Sequence, residues 1–153
     1  MTPVKFIEEM KKTLLLHAVA AHFSNGLIPV AVLYLLLALT SRDLFFEHTV
    51  EHLLVIVLLG IPVSFLTGIR EWKKKYKGAK APVFTKKIRL SALLFALCLI
   101  SLSIRISLPE VMYGTGILFW IYNASLFAML PVVVLLGHHG GKLAAGQRQE
   151  KFR

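Results

Sequence analysis

The sequence has few of the residues from which soluble active sites are usually built. Its single cysteine, Cys98, excludes a disulfide within the chain and a cluster of thiolate metal ligands. Without a C-x-x-C-H motif, haem cannot be attached covalently. No G-x-S-x-G motif, phosphate-binding loop or dinucleotide-binding motif occurs either. Hydrolase, NTPase and dinucleotide-dependent functions therefore have no motif to support them.

Apolar residues dominate instead, with 56% of the chain hydrophobic and a mean hydropathy of +0.69. This is too apolar for a soluble domain of 153 residues. A membrane-spanning helix needs roughly 20 apolar residues, and four segments reach that length: residues 14–39, 50–69, 88–106 and 116–136. Their short connections allow antiparallel neighbours. The sequence predicts an all-α single domain, a transmembrane four-helix bundle with up-down-up-down order.

The basic residues lie almost entirely on one side of these predicted helices. Sixteen of 18 Lys and Arg residues precede helix 1, lie between residues 70 and 89, or follow helix 4, and the exceptions are Arg42 and Arg105. The positive-inside rule then predicts that both termini and a basic loop at 70–87 are cytoplasmic, in a bacterial inner membrane. The net charge of +10 thus indicates anionic lipid, not nucleic acid, as the partner.

Histidines are the residues that point to chemistry, because ionisable groups at membrane depth are expensive and usually mark functional sites. Six occur, in three pairs at helix ends: His17 and His22, His48 and His52, and His138 and His139. With alternating helix directions, the first and third pairs lie on the cytoplasmic side. The second pair lies on the outer side.

Helix 1 offers one imidazole to the bundle axis on the cytoplasmic side. His17 and His22 point roughly 140° apart, so one of them is expected to face inward. His22 is preferred because it shares a helical face with Gly26 and Pro29, where the small side-chain bulk would let a flat ring approach the backbone.

Helix 4 offers the second axial ligand of a b-type haem. His138 and His139 are adjacent and diverge by about 100°, so either can point inward. Haem propionates also need cations, and four are available on the cytoplasmic side: Arg70, Lys86, Lys87 and Arg89. We therefore expect a haem b site with bis-histidine ligation between helices 1 and 4.

The outer end of helix 2 carries two imidazoles and two carboxylates: Glu47, His48, Glu51 and His52. This turn can hold a metal ion or ligate a second haem, with Arg105 as propionate partner and Met112 as a soft axial ligand. The alternative is a solvated helix start whose acids are favoured by the helix dipole. The same residues fit an H-x-x-E-H zinc motif, but no suitable acidic ligand follows downstream.

Prolines and amides inside the predicted helices indicate further internal interactions. Pro29, Pro62 and Pro131 each free a backbone carbonyl that neighbouring groups or water must satisfy, which favours a bundle that encloses something, although proline is also common in membrane helices. Asn25 and Asn123 are expected to hydrogen-bond a neighbouring helix or, as the alternative, a ligand.

Three stretches resemble a family of bacterial four-helix membrane proteins of unknown function. The sequence HAVAAHFS at residues 17–24 is similar to the family's H-P-x-x-V-H-F-P without the prolines, TGIREW at 67–72 to T-G-x-x-D-W with Glu71 for aspartate, and GHHGGKL at 137–143 to G-H-x-G-G-x-L. The resemblance implies a membrane bundle and favours His138 over His139. A histidine that the family commonly has after the last motif is missing here.

The leading hypothesis is a cytochrome-like electron-transfer protein, or an oxidoreductase subunit, with one haem b or two. Two haems on opposite sides would form a transmembrane path between a quinone pool and a redox protein. The first alternative is a cofactor-free scaffold or anchor subunit. The second is a metal-ion transporter that uses the outer turn of helix 2 as its entry site and oligomerises, because four helices alone do not enclose a pathway.

Overall fold

The computed structural model describes the backbone of residues 16–75, 77–78 and 81–151, and the side chains of 19–74, 77–78 and 81–142. This part of the chain folds into four helices and a one-turn 3₁₀ helix: α1 (Leu16–Ser41), α2 (Leu44–Lys75), α3 (Pro82–Ser107), the 3₁₀ turn (Val111–Tyr113) and α4 (Ile117–Lys151). The described part has no strand. All four helices are long and apolar enough to span a membrane. The prediction of an all-α transmembrane bundle is confirmed.

Two residues connect α1 to α2. Arg42 adopts a left-handed conformation (φ 54°) and donates its backbone N–H to the Ala38 carbonyl at 2.9 Å, which ends α1. The Asp43 carboxylate then accepts the backbone N–H of Phe45 at 2.9 Å and caps the start of α2. This tight turn makes α1 and α2 antiparallel neighbours.

The helices extend well beyond the apolar segments that predicted them. Helix α2 begins at Leu44 and ends at Lys75, whereas the sequence predicted 50–69. Residues 70–75 and 82–87, predicted to lie in the basic loop, are helical, and Pro82 occupies the first turn of α3. A hydropathy pattern reports the part of a helix inside the hydrocarbon layer, and polar ends that project beyond it escape this criterion.

The interior is apolar and holds the helices as two closely packed pairs, α1 with α2 and α3 with α4, joined along α2 and α3. Its fully buried members include Ile28, Leu35, Leu54, Val57, Leu126 and Met129. Large apolar side chains also cover the outside, among them Leu59, Leu66 and Val134. A helix that is apolar all round needs lipid on its outer face. The chain is therefore a multi-pass membrane protein in contact with a lipid bilayer.

Candidate functional site

Two ends of the bundle carry the polar residues. We call the end with the α1–α2 and α3–α4 connections the distal end, and the opposite end, with the α2–α3 connection, the basic end. The sequence predicts the distal end to face outward and the basic end to face the cytoplasm.

A buried ion pair lies at the distal end. Arg105 in the last turn of α3 places Nη1 2.9 Å from Glu47 Oε1 in the first turn of α2, and the two side chains are 2% and 3% exposed. Arg105 Nε also lies 3.4 Å from Glu51 Oε2, one turn along α2. An acid in a first turn and a cation in a last turn both suit the helix dipole. The pair therefore joins α2 to α3 where each helix favours that charge.

Two further elements lie near this ion pair. The Met112 backbone amide of the 3₁₀ turn hydrogen-bonds Glu47. From α4, the fully buried Tyr122 lies near Arg105, Glu47 and Glu51. Charged and polar groups of α2, α3, the 3₁₀ turn and α4 are thus close together inside the distal end.

Several buried polar atoms at this end have no hydrogen-bond partner within the described residues: Glu47 Oε1, Arg105 Nε and Nη1, Tyr122 Oη and Asn123 Oδ1. The Arg105 and Glu47 atoms are close enough for an ion pair, but they are not aligned for a hydrogen bond. Asn123 donates Nδ2 to the Phe119 carbonyl of its own helix at 2.8 Å. Buried polar atoms in native proteins normally find partners, so these atoms point to water or a ligand between the side chains.

Arg105 has a different partner from the one that the sequence predicts. The sequence predicts a haem propionate, whereas the structure provides two carboxylates of the same chain. The sequence does not indicate that Tyr122 lies near this ion pair. A usable signal existed for the ion pair: Arg105 is a cation at the distal end of α3, far from the basic residues at the other end of that helix, and a charge inside a bundle requires an opposite one.

The imidazoles of the distal end lie at the surface. His48 is 58% exposed, with Nδ1 3.5 Å from Glu51 Oε2. His52 is exposed, and its Nδ1 lies 2.6 Å from the His48 carbonyl oxygen. The predicted four-residue metal or transport site is therefore divided, because the carboxylates face Arg105 while the imidazoles face outward. Within the described residues, no group of three or more His, Cys, Asp or Glu side chains could hold a metal ion.

At the basic end, His22 lies on the outer side of α1. Ser24 is buried, and side chains two residues apart on a helix point about 160° apart, so the exposed His22 is directed away from the core. Gly26 and Pro29 share this face and are exposed. The prediction that His22 faces the bundle axis is therefore wrong, because the packing of α1 directs this face outward. A Cβ atom on Gly26 would have no neighbour within 4 Å among the described residues. The face is thus open on the bundle surface.

The imidazoles of α4 also lie at the surface of the basic end. His138 is exposed and His139 partly exposed, with ring centroids 5.7 Å apart. Lys86 and Lys87 of α3 interact electrostatically with His139. Arg70 is exposed on α2, and the side chain of His17 lies outside the described residues.

The positions of these histidines limit where a haem could bind. The core side of α4 near this end is filled by Val132, Val133 and Leu136. His22 points away from that core, so His22 and His138 of one chain do not face each other across the space between α1 and α4. The open face of α1 and the exposed His138 do suit a planar group bound on the outside of the bundle, with lysines nearby for its propionates.

A scan against protein-family models and searches of curated proteins and of solved structures each found no match. The resemblance to the four-helix family therefore stays a prediction. It rests on the three motifs at residues 17–24, 67–72 and 137–143.

Proposed function

We propose that this protein is a membrane-embedded b-type haem protein for electron transfer, with His22 and His138 as axial ligands. The observation that carries the proposal is the exposure of both imidazoles on the outside of the helices that the resemblance singles out. A polar ring exposed on a membrane helix gains from a partner, and haem iron is a partner that imidazole suits.

With His22 and His138 as the ligands, the proposed haem site would lie between two copies of the chain. Because His22 faces away from its own core, His22 of one chain and His138 of a second chain would be the residues that hold the haem. Lys86, Lys87 and Arg70 would bind the propionates. The haem supplies one-electron transfer, while the chain's own residues orient it and bring it to the cytoplasmic interface, where a quinone or a redox protein exchanges electrons.

A second haem near His52 would extend the path across the membrane. The contact of His52 Nδ1 with the His48 carbonyl oxygen assigns the ring proton to Nδ1 and leaves the Nε2 lone pair free for a metal. His52 is exposed, so this site also lies on the outside of the bundle.

The second candidate function is a cofactor-free anchor subunit. Polar side chains inside the bundle join one helix to another: Ser101 and Ser125 share a hydrogen bond of 2.6 Å between α3 and α4, and Glu47 pairs with Arg105 between α2 and α3. Such contacts fix a bundle in one arrangement. Its exposed apolar faces would then bind a partner subunit, and the surface histidines would be interfacial polar groups.

The test is the visible spectrum of the full chain, purified in detergent from haem-replete cells, oxidised and then reduced with dithionite. We expect a sharp reduced α-band and, by pyridine haemochrome, haem bound in proportion to protein. His22→Ala and His138→Ala should each abolish the band, while the neighbouring His139→Ala should keep it. A mixture of the two ligand variants should regain part of the band if the ligands come from different copies. A colourless protein would overturn the proposal and favour the anchor subunit.

A further inference from the structure

Three lysines of the basic end lie close together where α3 begins and the membrane span of α4 ends. Lys86 and Lys87 of α3 and Lys142 of α4 all lie near His139 of α4. We call Lys86, Lys87, Lys142 and His139 the basic cluster. We propose that the basic cluster binds the phosphate headgroup of an anionic membrane phospholipid between α3 and α4. The proposal is independent of the haem.

Carboxylates do not balance the positive charge of this region. Residues 70–89 contain nine Lys and Arg residues and one acid, Glu71. Glu71 lies near Lys87. Within the described residues, neither Lys86 nor Lys142 forms an ion pair with a carboxylate. Like charges that are held close together repel one another, so the basic cluster gains from an anion that lies between its lysines.

The surface of α4 beside these lysines is open. Gly137, Gly140 and Gly141 lie on one face of the helix, at positions i, i+3 and i+4. The ammonium group of Lys87 lies beside this face, because a Cβ atom on Gly140 would be 3.9 Å from Lys87 Nζ. A Cβ atom on Gly137 or Gly141 would meet no neighbour within 4 Å among the described residues. The glycine face therefore leaves room for a phosphate group next to the partly buried Lys87.

The basic cluster lies at the depth of lipid headgroups. The membrane spans of α3 and α4 are Pro82–Ser107 and Ile117–Lys142, so the cluster occupies the first two turns of one span and the last turn of the other. Trp72 and Phe84 pack at the same end, with ring centroids 5.6 Å apart. Tryptophan is enriched at membrane interfaces. A lipid phosphate therefore reaches the cluster without leaving its normal depth in the bilayer.

Exposed apolar side chains continue from the cluster towards the middle of the bilayer. Leu93 shares a face of α3 with Lys86, and Leu135 shares a face of α4 with His139. By the helical rise, these leucines lie about 10 Å and about 6 Å deeper than the two cluster residues. A phospholipid has the same order of charge and apolar chain along its length. This arrangement therefore fits a lipid better than it fits free phosphate.

An anionic lipid fits the cluster better than a zwitterionic lipid. The headgroup of phosphatidylcholine carries a positive charge beside its phosphate, which the lysines repel, whereas phosphatidylglycerol carries the negative charge alone. Haem propionates are anions too, so a haem that binds Lys86 and Lys87 would compete with the lipid for these lysines.

The experiment is native mass spectrometry of the full chain in detergent, with phosphatidylglycerol or phosphatidylcholine added at equal concentrations. We expect tighter binding of phosphatidylglycerol. Lys86→Gln combined with Lys142→Gln should weaken that binding about 30-fold, because each cation near an anionic headgroup contributes a factor of about five. Each complex is identified by its mass, so chains with and without haem are measured separately.

The matched control carries Lys73→Gln and Lys74→Gln, which remove two exposed cations of α2 at the same end. Neither lysine is among the charged groups near His139 or Lys87. The control should therefore weaken the binding of phosphatidylglycerol by less than about twofold. Circular dichroism verifies that both double variants fold, as substitutions of surface lysines are expected to do.

The outcomes separate a lipid site from a general attraction of charge. A preference for phosphatidylglycerol that is lost in the cluster variant and kept in the control supports the proposal. Equal losses in the two double variants, or equal binding of the two lipids, overturn it and leave the basic residues a diffuse positive surface. Displacement of phosphatidylglycerol by an equal concentration of inorganic phosphate would also overturn it, because the site would then bind free phosphate.

Discussion

The side chain of Arg105 connects α3 to another helix of the bundle. Its guanidinium reaches two carboxylates on α2 and lies beside a buried tyrosine of α4. Forming such a pair from hydrated ions contributes little net stability, because desolvation offsets the attraction. Removing one partner is different, since it leaves the other charges buried without compensation.

We therefore predict that Arg105→Leu lowers the free energy of unfolding by about 3–5 kcal/mol, the range for breaking a buried ion pair. Adding Glu47→Gln should recover part of this loss, because it removes one uncompensated carboxylate. Unfolding by a denaturing detergent in mixed micelles, followed by tryptophan fluorescence, measures the change.

The matched control is Arg89→Gln, which removes an exposed cation of the same helix. It should change the free energy of unfolding by less than about 0.5 kcal/mol. Equal losses in Arg105→Leu and Arg89→Gln would contradict a stabilising role for the buried pair.

For a single residue, the sequence predicts that the side chain needs an interaction better than it predicts which residue provides that interaction. The cost of charge in a membrane predicted that Arg105 has an anionic partner, and the structure provides one in Glu47. The sequence could not assign Arg105 to Glu47, because that pairing depends on the rotation of two helices. The same limitation applies to His22. The sequence places it on the same face of α1 as Gly26 and Pro29, but the packing of α1 decides whether that face points into the bundle or away from it.

At the scale of elements, the pairing of α1 with α2 depends on a close approach. Ser24 of α1 is buried against Gly60 of α2, and a Cβ atom at Gly60 would clash with the Ser24 hydroxyl oxygen. Small residues let helix backbones approach in membranes, where lipid removes the hydrophobic drive for association. Glycine is therefore required at position 60, because a hydrogen atom fits against Ser24 and a Cβ atom does not.

We predict that Gly60→Ala destabilises the bundle by about 1–3 kcal/mol, the range for overpacking a tight contact. Gly26→Ala is the matched control on the exposed face of α1, where a methyl group meets no neighbour among the described residues. Alanine is also the better helix former, so this control should be neutral or stabilising. The same detergent unfolding assay compares the two.

The double variant Ser24→Ala with Gly60→Ala isolates the clash. Without the hydroxyl oxygen, the nearest Ser24 atom to the new methyl group is Cβ, at an ordinary 3.6 Å. The double variant should therefore recover most of the stability that Gly60→Ala alone loses. If the losses of stability in Ser24→Ala and Gly60→Ala simply add in the double variant, the contact between α1 and α2 is not as close as described.

Helix positions were predictable from the sequence, and helix ends were not. Four apolar segments sufficed to predict four spans, since bilayer thickness sets the length of each. The extension of α2 to Lys75 and of α4 to Lys151 depends on polar residues that are helical outside the apolar layer. The start of α2 depends on a short-range cap, Asp43, which hydropathy does not detect.

At the scale of the whole molecule, orientation in the membrane decides which compartment the proposed haem would serve. That haem would lie at the basic end. If the basic end is cytoplasmic, the proposed electron transfer would take place on the cytoplasmic side. A reversed orientation would move it to the outer side without altering the site.

We predict that the basic end is cytoplasmic, because sixteen basic residues adjoin it or the two termini. Glu110→Cys and Lys77→Cys place a thiol in the α3–α4 and α2–α3 connections, both at exposed positions. Cys98 is the single native cysteine and is fully buried, so the introduced thiol is the one that reacts. A membrane-impermeant maleimide applied to intact spheroplasts should label Glu110→Cys and spare Lys77→Cys.

Permeabilised spheroplasts provide the control, since both variants should then react equally. Labelling of Lys77→Cys before permeabilisation, with Glu110→Cys protected, would reverse the orientation. A haem at His22 and His138 would then face the outer side. Labelling of both variants in intact spheroplasts would instead mean that the chain inserts in both orientations, which an excess of positive charge on one side disfavours.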